Sequence, residues 1–227
     1  MNFRKLCNRN SKTASLRNFS TSRGRMTVMP AWVIDKYGDN DVLRFTKNAP
    51  FPIIHYPNEV IVKVHSTSLN PIDVSMRGGY GAATMAMKRD PLYMNQKGSE
   101  FPLILGRDLS GVIMECGLDV CYFVCVFQVW AAIPPWKQGS LAEFVVLSAN
   151  EVAHKPASLS HSEAAAIPYV ASTAWSAVVN TGGLNKDNSA KKRQVQRLLS
   201  ILGHISIGLW SLPLNSRIWV SFLLRFD

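Results

Sequence analysis

From Met29 the chain is written in short runs of β-branched and aromatic residues, each bounded by Gly, Pro, Asn or Asp. MPAWVID (29–35), VLRFT (42–46) and EVIVKVHSTSL (59–69) read as strands separated by turns. In the third run Val60, Val62 and Val64 fall on one face, and Ile61, Lys63 and His65 on the other. That alternation predicts a strand with one buried face. LILGRDLSGVIMECG (103–117) reads as strand, turn and strand, and VWAAI (129–133) and SLAEFVVLS (140–148) add two more around the Pro134-Pro135 turn. Residues 78–101 show no clean period and predict a long surface loop, a kind of segment that is often functional. The helical pattern starts later. Ser160 followed by Glu163 has the form of a capping box, and Ala164, Ala165 and Ala166 favour helix. Pro168 breaks or kinks this helix, and Val170 to Val179 reads as a second one, ended by Thr181-Gly182-Gly183. The predicted fold is mainly β with C-terminal helices: a β domain over 29–156 and a helical connector over 157–185.

With 47% hydrophobic residues the chain can build a core. Its net charge of +10 is not a property of that core, because residues 1–25 carry +7, 26–185 carry −2 and 186–227 carry +5. A phosphate-tracking face needs clustered Lys and Arg on the folded part, so nucleic acid is excluded as a partner. Cys7, Cys116, Cys121 and Cys125 form no CxxC pair and suit neither a disulfide framework nor a zinc site. Residues 1–25 are Arg-, Ser- and Asn-rich without an acid, the composition of a mitochondrial transit peptide. Arg17-Asn18-Phe19-Ser20 resembles a matrix-peptidase site. The expected location is the mitochondrion, in the matrix or against one of its membranes.

Four strings carry a family resemblance in a fixed order. Ser68-Leu69-Asn70-Pro71-Ile72-Asp73 resembles S-x-N-P-x-D, and Arg77-Gly78-Gly79-Tyr80 resembles R-x-G-x-Y. Residues 101–112, FPLILGRDLSGV, resemble F-P-x-x-L-G-x-D-x-S-G-V. Ala165-Ala166-Ile167-Pro168 with Thr173-Ala174-Trp175 resembles A-A-x-P-x-x-x-x-T-A-W. Together they are similar to the start of the medium-chain dehydrogenases/reductases, in their zinc-free, quinone-oxidoreductase-like branch.

The resemblance implies a GroES-like, alcohol-dehydrogenase-type N-terminal domain that walls one side of a cleft. NADPH would be the cofactor, and a quinone or another conjugated carbonyl the substrate. A reticulon-type membrane protein and a second copy of the chain are the further candidate partners. Zinc-dependent members place a histidine where this chain has Arg107 and carry a four-cysteine lobe without counterpart here, so no metal is expected. The residues that match the family's site are Asn70 and Thr173, toward the nicotinamide, and Tyr80 and Asp108, as catalytic candidates. Each has a plainer reading. Asn70 precedes a proline and makes a good turn residue. Tyr80 suits a surface loop, Asp108 suits a structural acceptor at a strand turn, and Thr173 suits a helix threonine bonded to a carbonyl.

Two departures from the pattern stand out. Where the family reads V-x-x-F-x-x-G-D-x-V, residues 120–129 read VCYFVCVFQV, so Val126-Phe127 replace the Gly-Asp turn. Gly supplies φ > 0 there and Val does not. The codons for Cys121 to Gln128 also spell a pyrimidine-rich stretch that can end in CAG, and the segment reads as intronic sequence carried into frame. After Lys192-Arg193 the family enters a strand and then a glycine-rich loop that cradles the pyrophosphate. Here Gly203 and Gly208 stand isolated, and 186–227 reads as an aberrant tail. Its stretch Leu198 to Leu214 lacks charge but falls short of a membrane span. The expectation is therefore a chain with the Rossmann domain absent, which binds no NADPH and serves either as part of a reductase or as an interaction module.

Overall fold

The computed structural model describes residues 27–94, 98–121, 123, 126–181 and 224–225. The transit-peptide segment, and the tail apart from 224–225, lie outside the described residues. The strands are β1 (Val28–Ile34), β2 (Leu43–Pro50), β3 (Glu59–Ser68), β4 (Leu103–Ile104), β5 (Asp108–Cys116), β6 (Gln128–Ala132), β7 (Phe144–Ser148), β8 (Ala153–His154) and β9 (Leu224–Arg225). The helices are α1 (Pro71–Arg77), α2 (Ala82–Lys88), α3 (His161–Ala165) and α4 (Pro168–Trp175). A π-helical stretch, Ser176–Thr181, continues α4.

The strands form two antiparallel sheets, one ordered β2-β1-β4 and the other β7-β3-β5-β6-β8, with β9 beside Ser66 and Thr67 of β3. β3 lies between two apolar clusters. Val60, Val62 and Val64 join Leu109, Ile113, Val129, Ile133 and Leu147, whereas Ile61 joins Val33, Ile34, Met76, Leu103 and Phe144. The expectation of a single buried face is therefore corrected. The β1-containing sheet covers the face that alternation assigned to solvent, and it leaves only Lys63 and His65 partly exposed.

Two further corrections concern helices. Residues 78–101 are not one loop, because Ala82–Lys88 form α2, whose Met85 is its buried residue. Seven residues are too few to show a helical period, although Ala and Met favour the state. α1 was hidden behind Asn70-Pro71, which reads as a turn. Proline at the first helical position and the Asp73 carboxylate reaching back to the Asn70 N–H at 2.8 Å make it a helix start instead. Pro168 breaks the helical run as expected, since α3 ends at Ala165 and α4 begins at Pro168.

Candidate functional site

The site is assembled where α1, β5 and α4 meet. Strand β5 opens at Asp108 after a turn through Gly106, whose φ is +92° and whose missing Cβ would stand 2.6 Å from Ser140 Oγ. Both constraints require glycine. The turn drives Arg107 and Asp108 into the interior, each with 0% exposure.

Asp108 is the node. Its Oδ2 accepts from Asn70 Nδ2 at 2.7 Å and from Ser68 Oγ at 2.9 Å. Its Oδ1 accepts from the Tyr169 backbone N–H at 2.7 Å. Tyr169 follows Pro168, so this N–H is a free donor in the first turn of α4, and the carboxylate caps the helix. Burial pushes the Asp108 carboxyl up to about 6, against the pull of the Asn70, Tyr169 and Ser68 hydrogen bonds. Thr173 Oγ1 in turn donates to the Tyr169 carbonyl at 2.9 Å. Three of the four expected residues, Asn70, Asp108 and Thr173, thus lie on one hydrogen-bonded chain that passes through Tyr169. Tyr80 stands apart, 67% exposed in its glycine loop.

Arg107 does different work from the histidine of zinc-dependent relatives. Its Nη1 donates to the carbonyls of Pro134 and Lys137 at 2.9 and 3.0 Å, and its Nη2 to that of Ile104 at 3.0 Å. It staples the 134–137 loop to the turn before β5. Burial lowers its pKa to about 10, while Asp73, 3.6 Å from Nε, favours the cation. Asp73 Oδ1 also accepts the Gly106 N–H at 2.8 Å, and burial raises this carboxyl in spite of Arg107. Among the described residues no group of three or more His, Cys, Asp or Glu is placed to hold a metal.

The stapled loop and α4 line an open, shallow cleft of about 680 Å³. One wall is apolar, made by Ile133, Pro134, Pro135 and Trp136, and the other carries Tyr169, Ser172, Thr173 and Ser176. Asn70, Tyr80 and Asp108 do not line it. Such a wall suits a flat ring with a few polar edges. It does not suit a pyrophosphate, because the α4 N-terminus beside it is already filled by Asp108. Sequence reasoning did not single out Tyr169. The available signal was its place after a proline at the first helical position, where the next N–H must find an outside acceptor.

The family comparison takes in Asn70 and Asp108 and stops short of α4. Residues 56–157 match the alcohol dehydrogenase GroES-like domain. The chain is 81% identical over 177 residues to the mitochondrial NAD(P)H oxidoreductase RTN4IP1 of Danio rerio, covering 78% of this chain and 46% of that one. Over residues 56–157 this chain is an alcohol dehydrogenase GroES-like domain. The Homo sapiens protein of the same name is 68% identical over 179 residues, covering 79% and 45%. Both relatives are named as mitochondrial, and on that kinship this chain is assigned to the mitochondrion. Among solved structures, the quinone oxidoreductase from Coxiella burnetii superposes with a TM-score of 0.57 at 31% identity, over 67% of this chain and 44% of that one. The chain spans a little under half the length of the curated relatives it matches, and the matched portion is the GroES-like, β-rich domain described here.

Proposed function

We propose that this chain supplies the substrate-side wall of an NADPH-dependent reductase of a quinone or another conjugated carbonyl. The observation that carries this reading is the Asn70–Asp108–Tyr169–Thr173 hydrogen-bonded chain ending at an apolar cleft. When bound, NADPH supplies the hydride. The protein side positions and polarises. Asn70 and Thr173 sit toward the nicotinamide, and Asp108 acts as the positioning group that fixes both Asn70 and α4. Tyr80, exposed in its glycine loop and outside the cleft lining, is the proposed donor of a phenol to a substrate oxygen. The apolar loop 133–136 excludes water from the ring.

The 227 residues include no glycine-rich phosphate loop, so this chain is proposed to hold a quinone weakly and NADPH not at all. Thermal melting with each ligand tests this. A saturable rise with a soluble quinone and none with NADPH is the expected pair. A saturable NADPH-dependent rise overturns the expectation that this chain binds no NADPH, and no response to quinone overturns the substrate wall.

A second reading, an interaction module, rests on α4. None of its residues is buried, and Trp175 is 65% exposed. Such a face suits a covering protein, either a reticulon-type membrane partner or a second copy of the chain. Among the described residues no helix is long and apolar enough to cross a membrane. Retention of the chain by a reticulon segment, abolished by Trp175→Glu, is the result this reading requires.

A further inference from the structure

The tyrosines of the described region fall into two sets. Tyr37, Tyr56 and Tyr93 each donate their phenol to a carboxylate, those of Glu100, Asp90 and Glu59 respectively. Tyr80 and Tyr169 donate to no described residue. For Tyr80 this is ordinary, because it stands in solvent. Tyr169 is different, since its residue is only partly exposed and lines the cleft. A phenol taken partly out of water usually finds a partner, and none is provided among the described residues.

Its backbone, by contrast, is held at both ends. The N–H is bonded to Asp108 Oδ1 at 2.7 Å, the carbonyl accepts from Thr173 Oγ1 at 2.9 Å, and Pro168 fixes the preceding φ. A side chain whose backbone is fixed and whose hydroxyl is uncommitted is arranged to meet something from outside. Thr173 Oγ1 is already spent on the Tyr169 carbonyl. Across the cleft lie Ile133, Pro134, Pro135 and Trp136, which present flat apolar surface but no side-chain hydroxyl.

We propose that the Tyr169 phenol is a specificity-determining donor of the cleft, holding a carbonyl oxygen of a quinone whose ring packs on the Ile133–Trp136 wall. The proposal rests on the substrate-wall reading above and adds a residue to it. Burial and the neighbouring Asp73 and Asp108 charges keep the phenol protonated well above neutral pH, so it stays a donor over the working range. The contact recognises an acceptor oxygen on a flat ring. A hydrocarbon of the same shape gains only the apolar wall.

The test uses the 227-residue chain and its Tyr169→Phe variant, titrated with 1,4-naphthoquinone and with naphthalene. Tryptophan fluorescence reads both titrations, since Trp136 lies in the cleft. Phe keeps the ring and removes only an uncommitted hydroxyl, so the melting temperature stays unchanged. Expected is a loss of about fivefold in naphthoquinone affinity, the size of one ordinary hydrogen bond, with naphthalene unaffected. Equal naphthoquinone affinity in the two proteins overturns the proposal while leaving the substrate wall intact. An equal loss for naphthalene overturns it too, because packing and not donation is then what Tyr169 provides. If the wild-type chain binds no naphthoquinone, the substrate-wall reading itself fails, and this proposal with it.

Discussion

The Asp108 node and the turn between β5 and β6 lie at opposite ends of the same pair of strands, and they treat the backbone in opposite ways. At the node the chain keeps its family's pattern. Glycine stands where φ is positive, at Gly106, and both oxygens of a fully buried carboxylate are met by donors. At the other end the pattern is broken. Val126 takes φ +73°, the left-handed region, and is 76% exposed. The hairpin still closes, with Val126 donating to the Ile113 carbonyl at 2.8 Å and Ile113 to that of Phe127 at 3.0 Å. Phe123, from the same unusual segment, is buried with Ile113 and Val129. The fold therefore imposes the turn's geometry whatever residue occupies it. Long-range pairing of β5 with β6 and burial of Phe123 outweigh the local preference of one valine.

Removing the node should have the largest effect. Asp108→Ala leaves the Ser68 hydroxyl, the Asn70 amide and the Tyr169 N–H without their acceptor. Urea unfolding is expected to show a loss of about 3 kcal/mol. A loss below ~0.5 kcal/mol would falsify the view that this end is held by its polar contacts. Repairing the turn comes next. Val126→Gly relieves a left-handed β-branched residue at a cost of some unfolded-state entropy, for a net gain of roughly 1 kcal/mol. That corresponds to a rise of about 2–4 °C in melting temperature for a chain of this size. A fall in melting temperature would mean that the valine side chain contributes packing that its exposure conceals.

The smallest effect concerns pH. His161, stacked on His65 at 4.6 Å and 2.8 Å from Ser110 Oγ, has its pKa pushed down to about 4, chiefly by burial and then by His65 and Lys155. A lowered folded pKa means that the unfolded chain binds the extra proton, so this group adds stability as pH rises from about 4 to about 6.5. Asp108, raised to about 6, works the other way over much of the same window. His161→Gln should therefore leave the Asp108 contribution unopposed, so that stability falls as pH rises from about 4 to about 6, with stability at pH 8 nearly unchanged. An identical pH profile in the two proteins would place the titration elsewhere.

Strand order along the chain and the capping box at Ser160 were legible from residue type and spacing, and the need for a positive φ near residue 126 from the Gly-Asp that the resembled family carries there. Each is a local property: alternation, a side chain reaching three residues on, a backbone angle only glycine takes freely. The two short helices were not, because seven residues hold too few turns to show a period. Nor was the second buried face of β3, because alternation cannot say that another sheet will cover Ile61.

The site divides along the same line. Asn70, Tyr80, Asp108 and Thr173 were named from strings that resemble a family, and those strings fixed which residue types were present. Only the tertiary structure decided that Asn70 and Asp108, 38 positions apart, share a hydrogen bond. It also decided that Arg107 staples the cleft's loop, and that Tyr169 stands between Asp108 and Thr173. Contacts between distant segments depend on how strands register and helices pack, and one chain's residue order does not spell that out.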